Sequence, residues 1–441
     1  MEQRRKNLTQ LFIPICLETL LYMLSGMVDT LMLSSVNDQA VGAVGTANTY
    51  IGIFIIMFSV ISSGMVAVMT QNIGAGRPGV AYQARQLGLA FNAVLGVIMS
   101  LFLSLGAGTI LSGVGVADAL MQPAKTYLQI VGGFCILNAL IPICSSYLRA
   151  FGFSKEPLYA SIIGNVINFC LNAFFLFVLH KGVAGVATAT VISRIINLVI
   201  VVLLGAVLVK AKQHPERESN RAVMGQIIRI GLPSACETAI YNVSMTLVIR
   251  FLNQMDAQGL NVTARSYTMQ ITNFSYCVGA ALAQANAIMT GWHIGAKEYD
   301  ACDRGTKKAA VIGVIVAVIL ETVFTLCSGW IMQLFSKDLQ MVSLVGKLLA
   351  IDIVLEIGRV TNLVYGQALK TSGDAVFPVV MGACFMILCS VGGTYLFGIR
   401  LGLLAVGAYI GMTGDECVRA VGMYLRWKSG KWKEKGLVKS R

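Results

Sequence analysis

The sequence predicts an all-α polytopic membrane protein: twelve transmembrane helices in two six-helix bundles, related by a pseudo-twofold axis along the membrane normal. Three observations lead there. Apolar residues make up 56% of the chain and charged residues 12%, about half the roughly 25% charge of a soluble domain. The apolar residues fall in runs of roughly 20 between short polar breaks, the length a bilayer requires. The chain also repeats itself. IPICLETLLY at 13–22 is answered by LPSACETAIY at 232–241, each with Pro, then Glu-Thr, then Tyr at the same spacing.

Taken in order, the runs place spans at 11–34, 46–70, 87–111, 126–147, 158–179 and 184–209 in the first half. In the second half they fall at 226–250, 264–288, 309–334, 343–368, 377–397 and 402–425. The first span follows a basic start, but it carries two acids and no small-residue cleavage site, so it reads as retained rather than as a signal peptide. The longest polar insert, KAKQHPERESNRA, makes 210–222 a cytoplasmic linker between bundles at 1–209 and 223–441. The repeat can be followed past the first spans. NIGAG at 72–76 matches HIGAK at 293–297, and LRAFGFSKEP at 148–157 matches LKTSGDAVFP at 369–378, both at an offset of 221. Each half holds an even number of spans, so both cross in the same sense. The symmetry axis must then run along the membrane normal, with a cavity expected between the bundles near the midplane, as in secondary transporters.

The net charge of +13 follows topology rather than a nucleic-acid footprint. Counted with their flanks, the amino terminus, even-numbered loops and carboxy terminus hold 23 Lys and Arg, against 7 in the odd-numbered loops. By the positive-inside rule both termini are cytoplasmic and the protein sits in the cell membrane. The tail RWKSGKWKEKGLVKSR is expected to rest on anionic headgroups. Eleven cysteines lie singly, without ligand spacing, and read as small packing residues. No GxxxxGK[ST] loop is present, which argues against ATP hydrolysis on this chain. GAGRPG at 74–79 fits GxGxxG but joins two membrane helices and follows no strand. The histidines, His180, His214 and His293, fall at span ends or in the linker, and no HExxH or Ser/His constellation appears, so an enzyme is not expected. No cofactor is expected either.

The chemistry-bearing residues are the acids and amides inside the spans. Glu18 and Asp29 lie 11 residues apart on span 1, within 20° of one face and about 16 Å apart along the axis. Glu237 lies on span 7. Asp352 and Glu356 stand at i, i+4 on span 10, a repelling spacing, with Arg359 three residues further on. Pairing of Glu356 with Arg359 would leave Asp352 to hold a proton or a metal ion. Intramembrane carboxylates mark ion pathways more often than packing, so Asp29, Glu237 and Asp352 are the expected coupling residues, supported by Glu18, Glu356 and Arg359. Asp415 and Arg419 should neutralise each other at i, i+4, while Arg194 and Glu321 have no assignable partner. Asn165, Asn168 and Asn172 form an amide stripe on span 5; Ser266, Gln270 and Asn273 form another on span 8. Either stripe can line a cavity or join helices.

These residues resemble a known family along nearly the whole chain. GMVDTLML in span 1, NIGAG after span 2, LRAFGFSKEPLYASIIGNVINFCLN into span 5 and GVAGVATATVISR opening span 6 are similar to the multidrug and toxic compound extrusion (MATE) family, as are DIVLEIGRVTN and LKTSGDAVFP in the second half. The resemblance implies an antiporter with a V-shaped pair of bundles, exporting cationic or amphipathic drugs and toxins in exchange for Na⁺ or H⁺. By the same resemblance Asp29 matches the span 1 acid and Asn168 the span 5 asparagine. Glu237 and Asp352 match cation-site acids of the NorM-like branch, with EIGR similar to its span 10 motif. Asn172 departs from the pattern, since many members carry an aspartate there. That departure shifts the expected coupling toward the second half, with Glu237 and Asp352 the candidate Na⁺ ligands.

The expected partners are small cationic or amphipathic molecules and membrane lipids, with no nucleic acid and no ATP, and the expected state is a monomer. A flippase for a lipid-linked or natural product shares this architecture, but it should present a basic cavity for phosphate. A membrane enzyme or receptor lacks support in the motifs. The charge asymmetry sets the first prediction. In a Cys-free background, single cysteines at Asn37 and Asp338 should label from outside intact cells, and ones at His214 and Ser440 should not. External labelling at 214 or 440 overturns the orientation.

Overall fold

A computed structural model describes residues 6–35, 38–113, 116–210, 216–256, 258–333, 336 and 338–438. Asn37, His214 and Ser440 therefore lie outside the described residues. Those residues form twelve long helical rods in chain order, with a further short helix at Ser328–Gln333 between the ninth and tenth. They are α1 (Leu8–Ser34), α2 (Asp38–Gly74), α3 (Pro78–Gly113), α4 (Asp118–Gly132 with Ile136–Ala150), α5 (Lys155–Val178) and α6 (Gly182–Leu208). After the linker come α7 (Asn220–Met255), α8 (Leu260–Gly295), α9 (Tyr299–Leu326), α10 (Leu339–Ser372), α11 (Val376–Arg400) and α12 (Leu404–Lys428). The rods match the expected spans one for one.

Seven rods are long and apolar enough to cross a membrane, and the two pieces of α4, bent by 43° at their break, would together make an eighth. The four that fall short are α7, α8, α10 and α12. These carry Glu237, Arg265, the Asp352–Glu356–Arg359 set and the Asp415–Glu416–Arg419 set. Polar and charged side chains in a span are costly, and these four helices carry them.

The chain divides into two compact units, Met1–Leu232 and Pro233–Arg441, and the division falls inside α7. In the first unit Phe58, Leu103, Leu111, Tyr127 and Leu128 fill a core with Ala43, Ala47, Ala107 and Ala187. Small residues let helix backbones approach where lipid supplies no hydrophobic driving force. In the second unit α10 is central, packing on α8, α9 and α12, with Val345, Leu348, Leu349 and Leu355 in the core. The α11–α12 contact is closer still. A Cβ at Gly407 would lie 2.4 Å from the carbonyl carbon of Phe397, and one at Gly411 would lie 2.8 Å from the carbonyl oxygen of Cys389. The pair forms a GxxxG spacing on α12.

The repeat seen in sequence recurs in the backbone of each unit. Gly76 and Lys297, 221 residues apart, both take left-handed φ, 71° and 60°. Arg77 N donates to Asn72 O and Glu298 N to His293 O, each at 2.8 Å. Gly152 and Gly373 form a second such pair, at φ 86° and 100°, ending α4 and α10. Lys297 adopts a conformation that glycine takes without strain in the first unit.

The basic tail folds onto its own unit. Trp427 and Trp432 stack with centroids 4.1 Å apart, and both are 1% exposed. Trp427 Nε1 donates to Asp303 Oδ1 at the start of α9, and Arg426 Nε donates to Asp374 Oδ2 after α10. Lys428, Lys431 and Lys433 remain exposed, so the headgroup contact expected for the tail would fall to the lysines while the tryptophans serve as clasp. Two stability outcomes follow from these contacts. Trp432→Ala should cost about 3–5 kcal/mol through loss of the stacked contact, and Gly411→Val about 1–3 kcal/mol through overpacking. Both are read as a lowered thermal midpoint in detergent, and an unchanged midpoint in either variant refutes the corresponding contact.

Candidate cation-coupling site

Each unit holds one constellation of polar side chains. In the first, α1 brings Asp29 to the amide stripe of α5. Asn172 Nδ2 donates to Asp29 Oδ1 at 2.6 Å and also lies 3.2 Å from Asn168 Oδ1. Asn168 and Asn172 are buried, and Asp29 is half-buried. Asn165 reaches the carbonyl oxygen of Leu21 at 3.5 Å, so it serves α1–α5 packing. Arg194 on α6 lies within electrostatic reach of Asp29 and of Tyr127, which supplies the partner that sequence left unassigned. Helical periodicity alone put the three amides on one face; tertiary packing put Asp29 against it.

The second unit is richer in charge. Glu321 of α9 and Asp352 and Glu356 of α10 come together, each offering a carboxylate oxygen within 4.8 Å of the others. All three are buried, at 0%, 2% and 0% exposure. Among the described residues, Oδ2 of Asp352 and Oε2 of Glu356 have no hydrogen-bond partner, and the hydroxyl of Ser275 stands beside Glu321 as a donor. Glu356 pairs with Arg359. Arg359 Nε also lies 3.7 Å from Glu416 Oε1 on α12. Arg419 Nη2 stands 2.9 Å from the same Glu416 oxygen, and its Nε is 2.8 Å from Asp415 Oδ1. Asn362 and Ser390 donate to Glu416 and Asp415. The helices meet closely here because α10 presents Gly358, where a Cβ would lie 2.9 Å from the backbone nitrogen of Cys417.

Charge decides what this network can do. Five carboxylates (Glu321, Asp352, Glu356, Asp415 and Glu416) face two guanidiniums, leaving three negative charges if all ionise. Asp415 and Glu416 are satisfied by Arg419, Arg359 and neutral donors. The surplus therefore concentrates at Glu321 and Asp352. Desolvated like charges at that spacing cannot both stay ionised without a proton or a cation between them. Three carboxylate oxygens within reach of one centre are hard ligands, suited to Na⁺ or to shared protons.

Two expectations change. Glu237 does not join Asp352 in this cluster. Glu237 stands against Lys370, whose Nζ is 2.6 Å from its Oε2, and Lys370 is 18 residues along the continuous α10 from Asp352, about 27 Å. The acid that does join Asp352 is Glu321, to which the sequence assigns no partner. Its depth in span 9 was visible in sequence; the register that turns it toward α10 was not. Glu416 was missed because only the i, i+4 pair on span 12 was weighed. The Ser266–Gln270–Asn273 stripe lies on an exposed side of α8, whereas Ser275, on a different face, turns toward the acids. The Lys370 partnership carried a signal, since the repeat aligned Arg149 with Lys370 as it aligned Glu18 with Glu237. Arg265, 6% exposed on α8 and within 3.7 Å of the Met245 sulfur, carried none.

Comparison with known proteins bears on the whole chain. The MatE family model matches residues 14–174 and 233–396. The uncharacterized transporter YisQ of Bacillus subtilis (strain 168) is 33% identical over 431 residues, covering 96% of this chain and 94% of its own. A probable multidrug resistance protein NorM of Thermotoga maritima is 23% identical over 450 residues, covering 98% and 94%. A solved structure described as the outward-facing conformation of a multidrug resistance MATE family transporter of the MOP superfamily superposes with a TM-score of 0.87 at 18% identity, covering 98% and 96%, and so shares the fold. The repeated halves, the polar constellations within them and these matches converge: the chain belongs to the MATE family of membrane transporters.

Proposed function

We propose that the protein is a secondary active antiporter in the cell membrane, with both termini cytoplasmic, that exports cationic or amphipathic drugs and toxins in exchange for Na⁺ or H⁺. The observation that carries this reading is the buried Glu321–Asp352–Glu356 cluster, with one guanidinium at its edge and carboxylate oxygens left without partners. Such a cluster changes its net charge when a cation or proton enters, and that change is what couples an ion gradient to a conformational equilibrium. A ligand shifts the equilibrium only by its differential affinity for the two states. An ion that neutralises the acids favours the state in which they are most desolvated.

In this scheme Asp352 and Glu321 hold the ion, and Glu356 pairs with Arg359. Asp29, steadied by Asn172, provides a second carboxylate in the first unit, where a cationic substrate or a proton can bind. The substrate class is supported by the relative named as a probable multidrug resistance protein and by the preponderance of acids and amides among the polar groups. A phosphate-bearing substrate would call for bases in their place.

The test is efflux of a fluorescent organic cation from proteoliposomes under separately imposed Na⁺ and pH gradients. One gradient should drive export by wild-type protein. Asp352→Asn and Glu321→Gln should each lower that gradient-driven rate by about ten- to a hundredfold, with the double mutant little worse than either because the two act on one ion. Failure of both gradients to drive any tested cation sinks the antiport reading. Full gradient dependence in Asp352→Asn removes the cluster from coupling. Asp29→Asn should also lower export strongly while protein still reaches the membrane. Wild-type transport in that variant takes Asp29 out of the mechanism.

A further inference from the structure

Two ion pairs occupy repeat-related positions. In the first unit Arg149 Nη2 lies 2.6 Å from Glu18 Oε2, and in the second Lys370 Nζ lies 2.6 Å from Glu237 Oε2. Glu18 and Glu237 are the acids of the matched decamers, and Arg149 and Lys370 are the matched bases of LRAFGFSKEP and LKTSGDAVFP. Each acid follows a proline by one turn within its helix, Pro14 in α1 and Pro233 in α7. Each base lies in the last turn of the fourth helix of its half, before the left-handed Gly152 or Gly373. All four side chains are largely buried, between 10% and 15% exposed.

A proline inside a helix removes one internal hydrogen bond and clashes with the preceding turn, so the helix is weakest there. A tertiary tie one turn further on fixes the angle that the weak point leaves open. A base in contact with a carboxylate also supplies the countercharge that a coupling ion would otherwise provide. The rest of the repeat sharpens the contrast. The counterpart of Asp352 is Val131, and the counterpart of Asp29 is Val248. Ion-site acids thus differ between the halves, whereas the acid–base pairs recur in both.

We propose that Glu18–Arg149 and Glu237–Lys370 are positioning pairs, one per half, that set the angle of the proline-containing first helix against the fourth, and that Glu237 acts through Lys370 rather than by binding the coupling ion. The proposal rests on the transport reading only for its functional readout.

The experiment compares wild type, Glu18→Gln, Glu237→Gln and two charge-swapped doubles, Glu18→Arg with Arg149→Glu and Glu237→Lys with Lys370→Glu. Export of ethidium from proteoliposomes is measured against the driving ion, giving a maximal rate and a half-maximal ion concentration, together with the thermal midpoint. Both Gln variants should lose a similar factor in maximal rate, about tenfold. Their half-maximal ion concentration should stay within about twofold of wild type, and the swaps should recover most of the rate. A shift of about tenfold or more in that concentration for Glu237→Gln, absent in Glu18→Gln, would return Glu237 to the ion site and overturn the proposal. Swapped doubles no better than the single variants overturn it as well. If the Gln variants fail to accumulate, the swaps decide alone: accumulation with a near-wild-type midpoint carries the proposal, and failure sinks it. If wild-type protein does not export at all, the transport reading fails by itself. The pairs are then judged on midpoints, where matched losses in the Gln variants and recovery in the swaps support them and any other pattern does not.

Discussion

A carboxylate taken out of water costs several kcal/mol unless a base, a hydrogen-bond donor, a proton or a cation stands beside it. That constraint organises both units. Glu18 and Glu237 meet bases across helices, and Asp415 and Glu416 meet Arg419. Asp29 takes an amide donor from Asn172. Asp352 and Glu356 keep oxygens with no hydrogen-bond partner among the described residues, and Glu321 joins them with the Ser275 hydroxyl at hand.

Duplication has kept some features and let others diverge. The left-handed residues at 76 and 297 and at 152 and 373 recur, as do the hydrogen bonds that close those turns. The polar constellations do not. The first unit holds a single acid among amides, and the second a cluster of acids with two guanidiniums. Two copies of one scaffold thus carry different polar chemistry while both retain the same framework.

The helices, the halves and most of the buried acids were legible in the sequence because they depend on local composition and on periodicity along one chain segment. The span 5 stripe was legible for the same reason, since 165, 168 and 172 fall on one helical face whatever surrounds them. The pairing of Glu321 with Asp352 was not. It depends on how α9 is rotated against α10, which is set by side-chain packing between residues distant in sequence and leaves no periodic trace. The absence of Glu237 from the Asp352 cluster left no trace for a related reason. Both acids belong to one half, yet α10 is long enough to keep its two ends in separate environments. Lys370 was counted as a loop charge for topology, and only its position in the repeat hinted at a partner.

The fourth rods of the two halves differ in one respect with a mechanical consequence. α4 is interrupted between Gly132 and Ile136 and turns by 43°, whereas α10 runs unbroken from Leu339 to Ser372. A jointed rod lets its two segments swing separately, so a disturbance at one end dissipates at the joint. A continuous helix behaves as a stiff beam over its length. Asp352, Glu356, Arg359 and Lys370 are all mounted on that beam, so any tilt or twist imposed on it at the acid cluster arrives at Lys370 undiminished. The second half is thus built to convey a local event along its axis, and the first to absorb one.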